Sequence, residues 1–173
     1  MEYCRDMQES TMGRSPDDDY EIRLCGDADI PSIIRVNTLT LPEHYSDDFY
    51  YQILRAYPET FFLAERDGAA VGYIMCRTEH GLSLLRRFGL AKKCHIISVA
   101  VLEEYRGKGI GTHLIQRALE RVRSESAKEC YLEVRITNLQ AIELYKRLGF
   151  RVVSTLSGYY KDGESAYTMV MPL

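Results

Sequence analysis

The sequence has no apolar run that approaches the roughly 20 residues needed for a membrane-spanning helix. Its first 19 residues are also too polar to form the apolar core of a secretory signal peptide. We therefore expect a cytoplasmic protein with no membrane partner.

The sequence also lacks any C-x-x-C pair, although it contains five cysteines: Cys4, Cys25, Cys76, Cys94 and Cys130. An odd number of cysteines without that spacing favours neither a disulfide framework nor a zinc site. We expect these thiols to be small buried side chains that stay reduced.

There is no excess of basic residues, since the net charge is -3 and the isoelectric point is near 5.8. This balance argues against a nucleic-acid partner held by charge. At 173 residues, 46% of them hydrophobic, the chain is long enough to bury one sizeable core. Residues 1–19 are polar and end in an acidic run, so we predict a mobile tail followed by a single domain over residues 20–173.

Helix and strand patterns alternate along that domain. Apolar residues repeat at helical spacing in residues 30–37, 49–57, 110–122 and 141–148. Patterns typical of strands lie at 20–25, 61–65, 70–77, 95–101, 130–136, 150–154 and 166–171. Residues 81–93 are predicted to be a long loop with a helical piece. The order predicts an α/β domain with helices on both sides of a mixed sheet, which is a three-layer α/β/α arrangement.

A glycine-rich turn lies between the predicted strand at 95–101 and the helix that begins near residue 110. Three glycines and two cations fall in a short segment, Arg106, Gly107, Lys108, Gly109, Ile110, Gly111 and Thr112. Backbone N–H groups that open a helix offer unpaired donors to a phosphate, and glycine lets the ligand approach closely. The turn is neither a Walker A loop nor the dinucleotide fingerprint G-x-G-x-x-G.

The spacing Arg-x-x-Gly-x-Gly resembles the pyrophosphate loop of the GNAT acetyltransferase superfamily. This resemblance implies the GNAT fold over residues 20–173, with a mostly antiparallel central sheet, and acetyl-coenzyme A as co-substrate.

A narrower resemblance is to the archaeal and eukaryotic protein N-terminal acetyltransferases, of the NatA catalytic-subunit type. The matching segments are Leu41-Pro42-Glu43, residues 95–101, Leu132-Glu133-Val134-Arg135, Asn138, residues 141–145, Gly149-Phe150 and residues 159–167. The last segment, Tyr-Tyr-x-Asp-Gly-Glu, is the most specific. Ser165 departs from the pattern, because an acidic residue is usual there, and the change bears on substrate preference.

The resemblance implies three catalytic residues. His95 and Glu133 would deprotonate the substrate amine through a water, and Tyr145 would return a proton to the coenzyme A thiolate. Each has a structural alternative: His95 as a hydrogen-bonded histidine at the start of a strand, Glu133 as a surface partner of Arg135, and Tyr145 as a packed core aromatic. A divalent ion captured by His95 and Glu133 would be adventitious, so no metal is expected.

The resemblance also implies the binding residues. Asn138 and the backbone of Val99, Ala100 and Val101, in a splayed strand, would hold the pantetheine arm of the co-substrate. Asn138 can equally cap a helix, and the two roles are compatible. Glu43, Tyr45, Tyr159 and Tyr160 would line a peptide groove, with Glu43 facing the substrate's first residue.

The function that follows is acetyl transfer from acetyl-coenzyme A to protein N-terminal α-amines, by direct attack in a ternary complex. Acetylation of a lysine side chain or a small amine is the alternative within enzymes, and a non-catalytic acyl-coenzyme A binding module is the alternative outside them. The sequence indicates no preferred first residue and no oligomeric state. An auxiliary subunit or a ribosome contact is compatible with the resemblance but has no support in the residues.

Overall fold

The computed structural model describes residues 19–86 and 88–173. Our predictions for the first 18 residues therefore lie outside the described part of the chain. The helices and strands are, in order, β1 Glu21–Leu24, α1 Ile30–Thr40, α2 Asp47–Ala56, β2 Phe61–Arg66, β3 Ala69–Leu82, β4 Leu90–Val101, α3 Ile110–Ser124, β5 Glu129–Arg135, α4 Leu139–Arg147, β6 Arg151–Leu156 and β7 Ala166–Pro172.

The strands form one seven-stranded sheet in the order β1-β2-β3-β4-β5-β7-β6. Every neighbouring pair is antiparallel except β4 and β5, which run parallel. A parallel pair needs a crossover connection, and α3 supplies it. The sheet is therefore mixed and mostly antiparallel, as the resemblance implied.

The helices cover both faces of this sheet. On one face, α1 packs on β3 and β4, and the buried amide of Asn37 donates to the Tyr73 hydroxyl at 2.9 Å. Tyr73 also shares a 2.7 Å hydrogen bond with Ser98 of β4. On the other face, α3 packs on β2, β3 and β4. The predicted three-layer α/β/α arrangement is confirmed.

The prediction for residues 81–93 is wrong in part. Strand β3 continues to Leu82 and β4 already begins at Leu90, so only residues 83–89 form the loop of a long hairpin, and the described residues of that loop contain no helix. The buried carboxylate of Glu129 holds the turn by accepting hydrogen bonds from the Ser83 hydroxyl and the Leu84 amide. Strand pairing and this distant carboxylate, rather than a local sequence pattern, determine the hairpin. His95 consequently lies inside a strand and not at its start.

The four cysteines in the described part, Cys25, Cys76, Cys94 and Cys130, are buried and free. This agrees with the prediction that these cysteines are small buried side chains.

The sheet opens between β4 and β5. The two strands pair only from Lys93↔Glu129 to His95↔Tyr131, although both continue further. Just past the last pair, the β3–β4 register shifts between Met75 and Cys76. A β-bulge of this kind bends a strand, which separates β4 from its parallel neighbour. The splayed strand expected at Val99, Ala100 and Val101 is therefore present, and it faces a gap in the sheet.

Gly72 of β3 allows the close approach of β4 and α3 beside this opening. A Cβ atom at this position would lie 2.9 Å from the Ala100 carbonyl oxygen and 3.2 Å from a Val101 methyl. Overpacking of a close-packed core typically costs about 1 to 3 kcal/mol. We therefore expect Gly72→Ala to lower the melting temperature by about 5 °C.

Gly26→Ala is the matched control, because its Cβ would meet only Asp29 at an ordinary 3.6 Å. Equal thermal unfolding curves for the two variants would contradict this account of Gly72.

Candidate active site

His95 and Glu133 meet beside the opening in the sheet. Strand periodicity places them on the face covered by α1, and the His95 Nε2 atom lies 2.7 Å from a Glu133 carboxylate oxygen. Both side chains are 14% exposed. Strands β4 and β5 thus bring into contact the two residues of the predicted catalytic pair, which are 38 residues apart in sequence. Glu133 makes this contact instead of the alternative surface pair with Arg135.

Arg135 joins the two loops that flank the pair. Its guanidinium bonds Glu43, on the loop between α1 and α2, at 2.5 Å. It also bonds Asp162 at 2.8 Å and Glu164 at 2.5 Å, both on the loop between β6 and β7. The Tyr160 ring lies 4.0 Å from the guanidinium carbon. One cation therefore organises both predicted walls of the peptide groove.

Two of the carboxylates around Arg135, those of Asp162 and Glu164, have pKa values below their ordinary range. A hydrogen bond from Thr137, together with Arg135, lowers the pKa of Glu164. A backbone hydrogen bond at Glu164 and the Arg135 guanidinium lower the pKa of Asp162. Glu43, which is predicted to line the peptide groove, is already paired with Arg135 in this arrangement.

The three tyrosines predicted to line the groove lie on the same two loops. The Tyr45 hydroxyl points to the Ile97 carbonyl at 3.4 Å, and burial raises the pKa of Tyr45 to about 12. The Tyr159 and Tyr160 rings meet edge to face at 5.1 Å, and Tyr159 is 49% exposed. A half-exposed aromatic beside a buried hydroxyl gives a surface that is suited to an extended peptide.

Replacing Arg135 should loosen both loops at once. We expect Arg135→Gln to raise KM for a peptide substrate about tenfold, because three carboxylates lose their shared cation and repel one another. The effect on KM for the co-substrate should be small, since Arg135 lies on the opposite face of the sheet from the glycine-rich loop. Steady-state kinetics with each substrate varied in turn measures both values.

Arg117→Gln is the matched control, because Arg117 pairs with Glu120 on the surface of α3. An unchanged peptide KM in Arg135→Gln would show that the two loops hold their positions without this cation.

The glycine-rich loop has the form of an anion cradle. Gly107 and Gly109 have φ angles of +76° and +83°, in the left-handed region that favours glycine. Gly109 caps α3, and within the described residues no side chain caps this helix. The first amides of a 15-residue helix are therefore free to bind an anion. The Arg106 Nε atom donates to the Val101 carbonyl at 3.0 Å, which holds this cation at the loop.

The other residues of the loop contribute in different ways. The Lys108 ammonium lies 5.3 Å from the Tyr105 ring centre. Ile110 is buried in the core, so only its backbone can reach a ligand, and Gly111 packs loosely near Val101 and Leu144. Thr112 follows in the first turn of α3. These residues form the loop at which the resemblance implied a diphosphate site.

Tyr145 and Asn138 lie on α4 or at its start. Tyr145 is buried with its ring 5.8 Å from Phe150, and burial raises the pKa of its hydroxyl. A phenol with a raised pKa stays protonated at neutral pH and can donate a proton. The Asn138 side chain accepts from the Ala141 amide at 3.2 Å, so Asn138 caps α4.

The sequence patterns indicate no functional role for Arg135, Asp162, Glu164 or Tyr131. One signal was available, since Tyr131, Glu133 and Arg135 alternate on β5 and so share a face of the sheet. The partners of Arg135 come from loops far apart in sequence, which alternation alone does not bring together.

The described ranges contain no group of three or more His, Cys, Asp or Glu side chains that could hold a metal ion. Over the same ranges, no helix is long and apolar enough to cross a membrane.

Comparison with known proteins adds a family match. The sequence profile of the acetyltransferase (GNAT) family matches residues 30–150. A curated relative named N-alpha-acetyltransferase, from Sulfurisphaera tokodaii, is 48% identical over 157 residues, which are 90% of this chain and 94% of the relative.

Two solved structures have folds similar to that of this chain. The crystal structure of Ard1 from Thermoplasma volcanium has a TM-score of 0.76 and 30% identity, and the match covers 90% of this chain and 98% of that one. Naa50 of Arabidopsis thaliana, solved with the bisubstrate analogue CoA-Ac-MVNAL, has a TM-score of 0.77 and 29% identity. That match covers 90% of this chain and 99% of Naa50.

Proposed function

Because the chain belongs to the GNAT acetyltransferase family, we propose that it transfers acetyl from acetyl-coenzyme A to the N-terminal α-amine of proteins. Relatives that are 46–48% identical carry the name N-alpha-acetyltransferase. The Naa50 neighbour was solved with an analogue that joins coenzyme A to the peptide MVNAL.

The observation that carries this proposal is the opening between β4 and β5. The glycine-rich loop and Tyr145 lie on the α3 and α4 side of the sheet, and the His95–Glu133 pair lies on the α1 side. Pairing of the two strands stops at His95↔Tyr131, so the sheet does not separate the two groups beyond that point. An amine on one face can therefore reach a thioester that enters from the other.

In this mechanism, acetyl-coenzyme A supplies an activated acetyl thioester. The amides at the start of α3 and Arg106 bind its diphosphate, while Asn138 and the free edge of β4 from Val99 to Val101 hold the pantetheine arm. An α-amine has an ordinary pKa of about 7.7 to 8.0, so much of it must lose a proton before it attacks. His95 and Glu133 take that proton through a water, and Tyr145 donates a proton to the leaving thiolate.

The peptide lies between the two loops that Arg135 joins. Glu43, Tyr45, Tyr159 and Tyr160 would contact its first residues, and tyrosine hydroxyls can bond peptide backbone whatever side chains follow. We propose residues 20–173 as the catalytic domain and the cytoplasm as its location. A lysine side chain has an ordinary pKa of about 10.4 and would demand a stronger base, which favours the α-amine.

Acetylation of a panel of peptides with different first residues tests the proposal. We expect transfer to free α-amines and little transfer to a lysine-containing peptide whose N-terminus is blocked. Mass spectrometry of the products locates the acetyl group. Transfer mainly to the blocked lysine peptide would favour the lysine alternative, and no transfer to any amine despite acetyl-coenzyme A binding would favour the non-catalytic one.

A further inference from the structure

Tyr131 stacks on the imidazole of His95 at the last residue pair before the sheet opens. The two ring centres are 4.4 Å apart and the ring planes differ by only 4°. His95 and Tyr131 are direct neighbours across the parallel β4–β5 pair. The stack therefore lies at the edge of the opening, next to Glu133.

Tyr131 is itself held in place by residues other than His95. It is 9% exposed, and its hydroxyl donates to Glu79 at 2.7 Å. The Lys93 ammonium lies 5.3 Å from its ring centre and 3.5 Å from Glu79. Burial and the hydrogen bond to Glu79 raise the pKa of Tyr131, so its phenol stays neutral. A buried neutral ring that is held by two contacts is a rigid support.

The imidazole has few other constraints. Its Nε2 atom contacts Glu133 at 2.7 Å, while its Nδ1 atom is buried with no hydrogen-bond partner among the described residues. A single hydrogen bond fixes one atom of the ring but leaves the ring free to tilt about that contact. The parallel Tyr131 ring opposes such tilting, because stacked planes lose contact when one of them rotates.

We propose that Tyr131 is a positioning residue, which holds the His95 ring in the plane that directs Nε2 at Glu133. This inference rests on the catalytic roles given to His95 and Glu133 in the proposed function. Tyr131 acts through His95 and contacts neither substrate. Catalysis is sensitive to small misplacements of a reacting group, so loss of the ring should lower kcat and leave both KM values nearly unchanged.

A double-mutant cycle tests this role. Tyr131→Leu should lower kcat about tenfold, and by no more than His95→Ala, while Tyr131→Phe keeps the ring and restores most of the turnover. Once His95 is replaced by alanine, adding Tyr131→Leu should change kcat by less than about twofold. Tyr51→Leu is the matched control, because Tyr51 also lies beside a cation, Arg55 at 6.0 Å, but contacts no imidazole. Its kcat should equal that of the wild type.

Thermal unfolding of each variant shows whether it is folded at the assay temperature. If Tyr131→Leu is not, Tyr131→Met takes its place, because methionine is flexible and fills irregular space without a ring. A loss of kcat that is undiminished in the His95→Ala background would overturn the proposal, and so would wild-type turnover in Tyr131→Leu. In both cases, a lowered kcat in the His95→Ala variant would still support the proposed function. Wild-type turnover in His95→Ala would instead overturn the catalytic role of His95 and this inference with it.

Discussion

The variant that lacks both His95 and Glu133 should turn over about 10² to 10⁴ times more slowly than the wild type at neutral pH. The two side chains form one hydrogen-bonded unit at 2.7 Å, so each alanine variant alone should lose only part of this factor. Folding should survive in all three variants, because both side chains lie beside the opening in the sheet. Steady-state kcat values, together with circular dichroism, measure turnover and folding separately.

The pH dependence of kcat in the double variant provides a second test. Without a base, the rate depends on the fraction of substrate amine that is already neutral, and this fraction rises until the pH passes the amine pKa of about 8. Raising the pH from 7 to 9 should therefore restore part of the lost turnover. Turnover in the double variant equal to the wild type at pH 7 would leave His95 and Glu133 as structural residues.

Gly109→Val should weaken acetyl-coenzyme A binding at least about tenfold, with little effect on the peptide-binding side of the sheet. Gly109 has a φ angle of +83° at the cap of α3, a conformation that a β-branched residue rarely adopts. The substitution forces the loop to change its path, which turns the first amides of the helix away from the diphosphate. Calorimetric titration with coenzyme A gives the dissociation constant directly.

Gly68→Val is the matched control for this experiment. Gly68 has a φ angle of +76° in the turn between β2 and β3, where an added Cβ meets nothing within 4 Å, and at Gly109 it would meet only the His113 ring at an ordinary 3.7 Å. Both variants should lose stability through the same backbone strain, but only Gly109→Val should lose affinity for coenzyme A. An equal affinity in both would mean that the glycine-rich loop does not bind the diphosphate.

Elements with long or tightly spaced sequence patterns could be predicted from the sequence. The apolar residues of α3 repeat at helical spacing over 15 residues, and the glycine spacing before it specifies a left-handed loop that only glycine enters easily. The strand ends within residues 81–93 were not predicted, because this hairpin depends on partners elsewhere, such as the buried Glu129 carboxylate.

The candidate site also has features that the sequence indicates and features that only the structure shows. The roles proposed for His95, Glu133 and Tyr145 come from a resemblance in residue types and their order. Their tertiary partners were not: alternation on β5 placed Glu133 and Arg135 on one face, but it did not show which of them contacts His95 and which contacts Glu43. A strand pattern fixes the direction in which a side chain points, whereas its partner depends on which strand or loop lies alongside.

The opening between β4 and β5 was decided by the tertiary structure alone. A register shift in the β3–β4 pair and the loss of pairing after His95↔Tyr131 create it, and neither leaves a mark in the apolar pattern of β4. The sequence thus indicated the candidate catalytic residues and the loop proposed to bind a diphosphate. The fold determined that the two faces communicate, because the separation of two strands depends on bends and contacts contributed by the whole sheet.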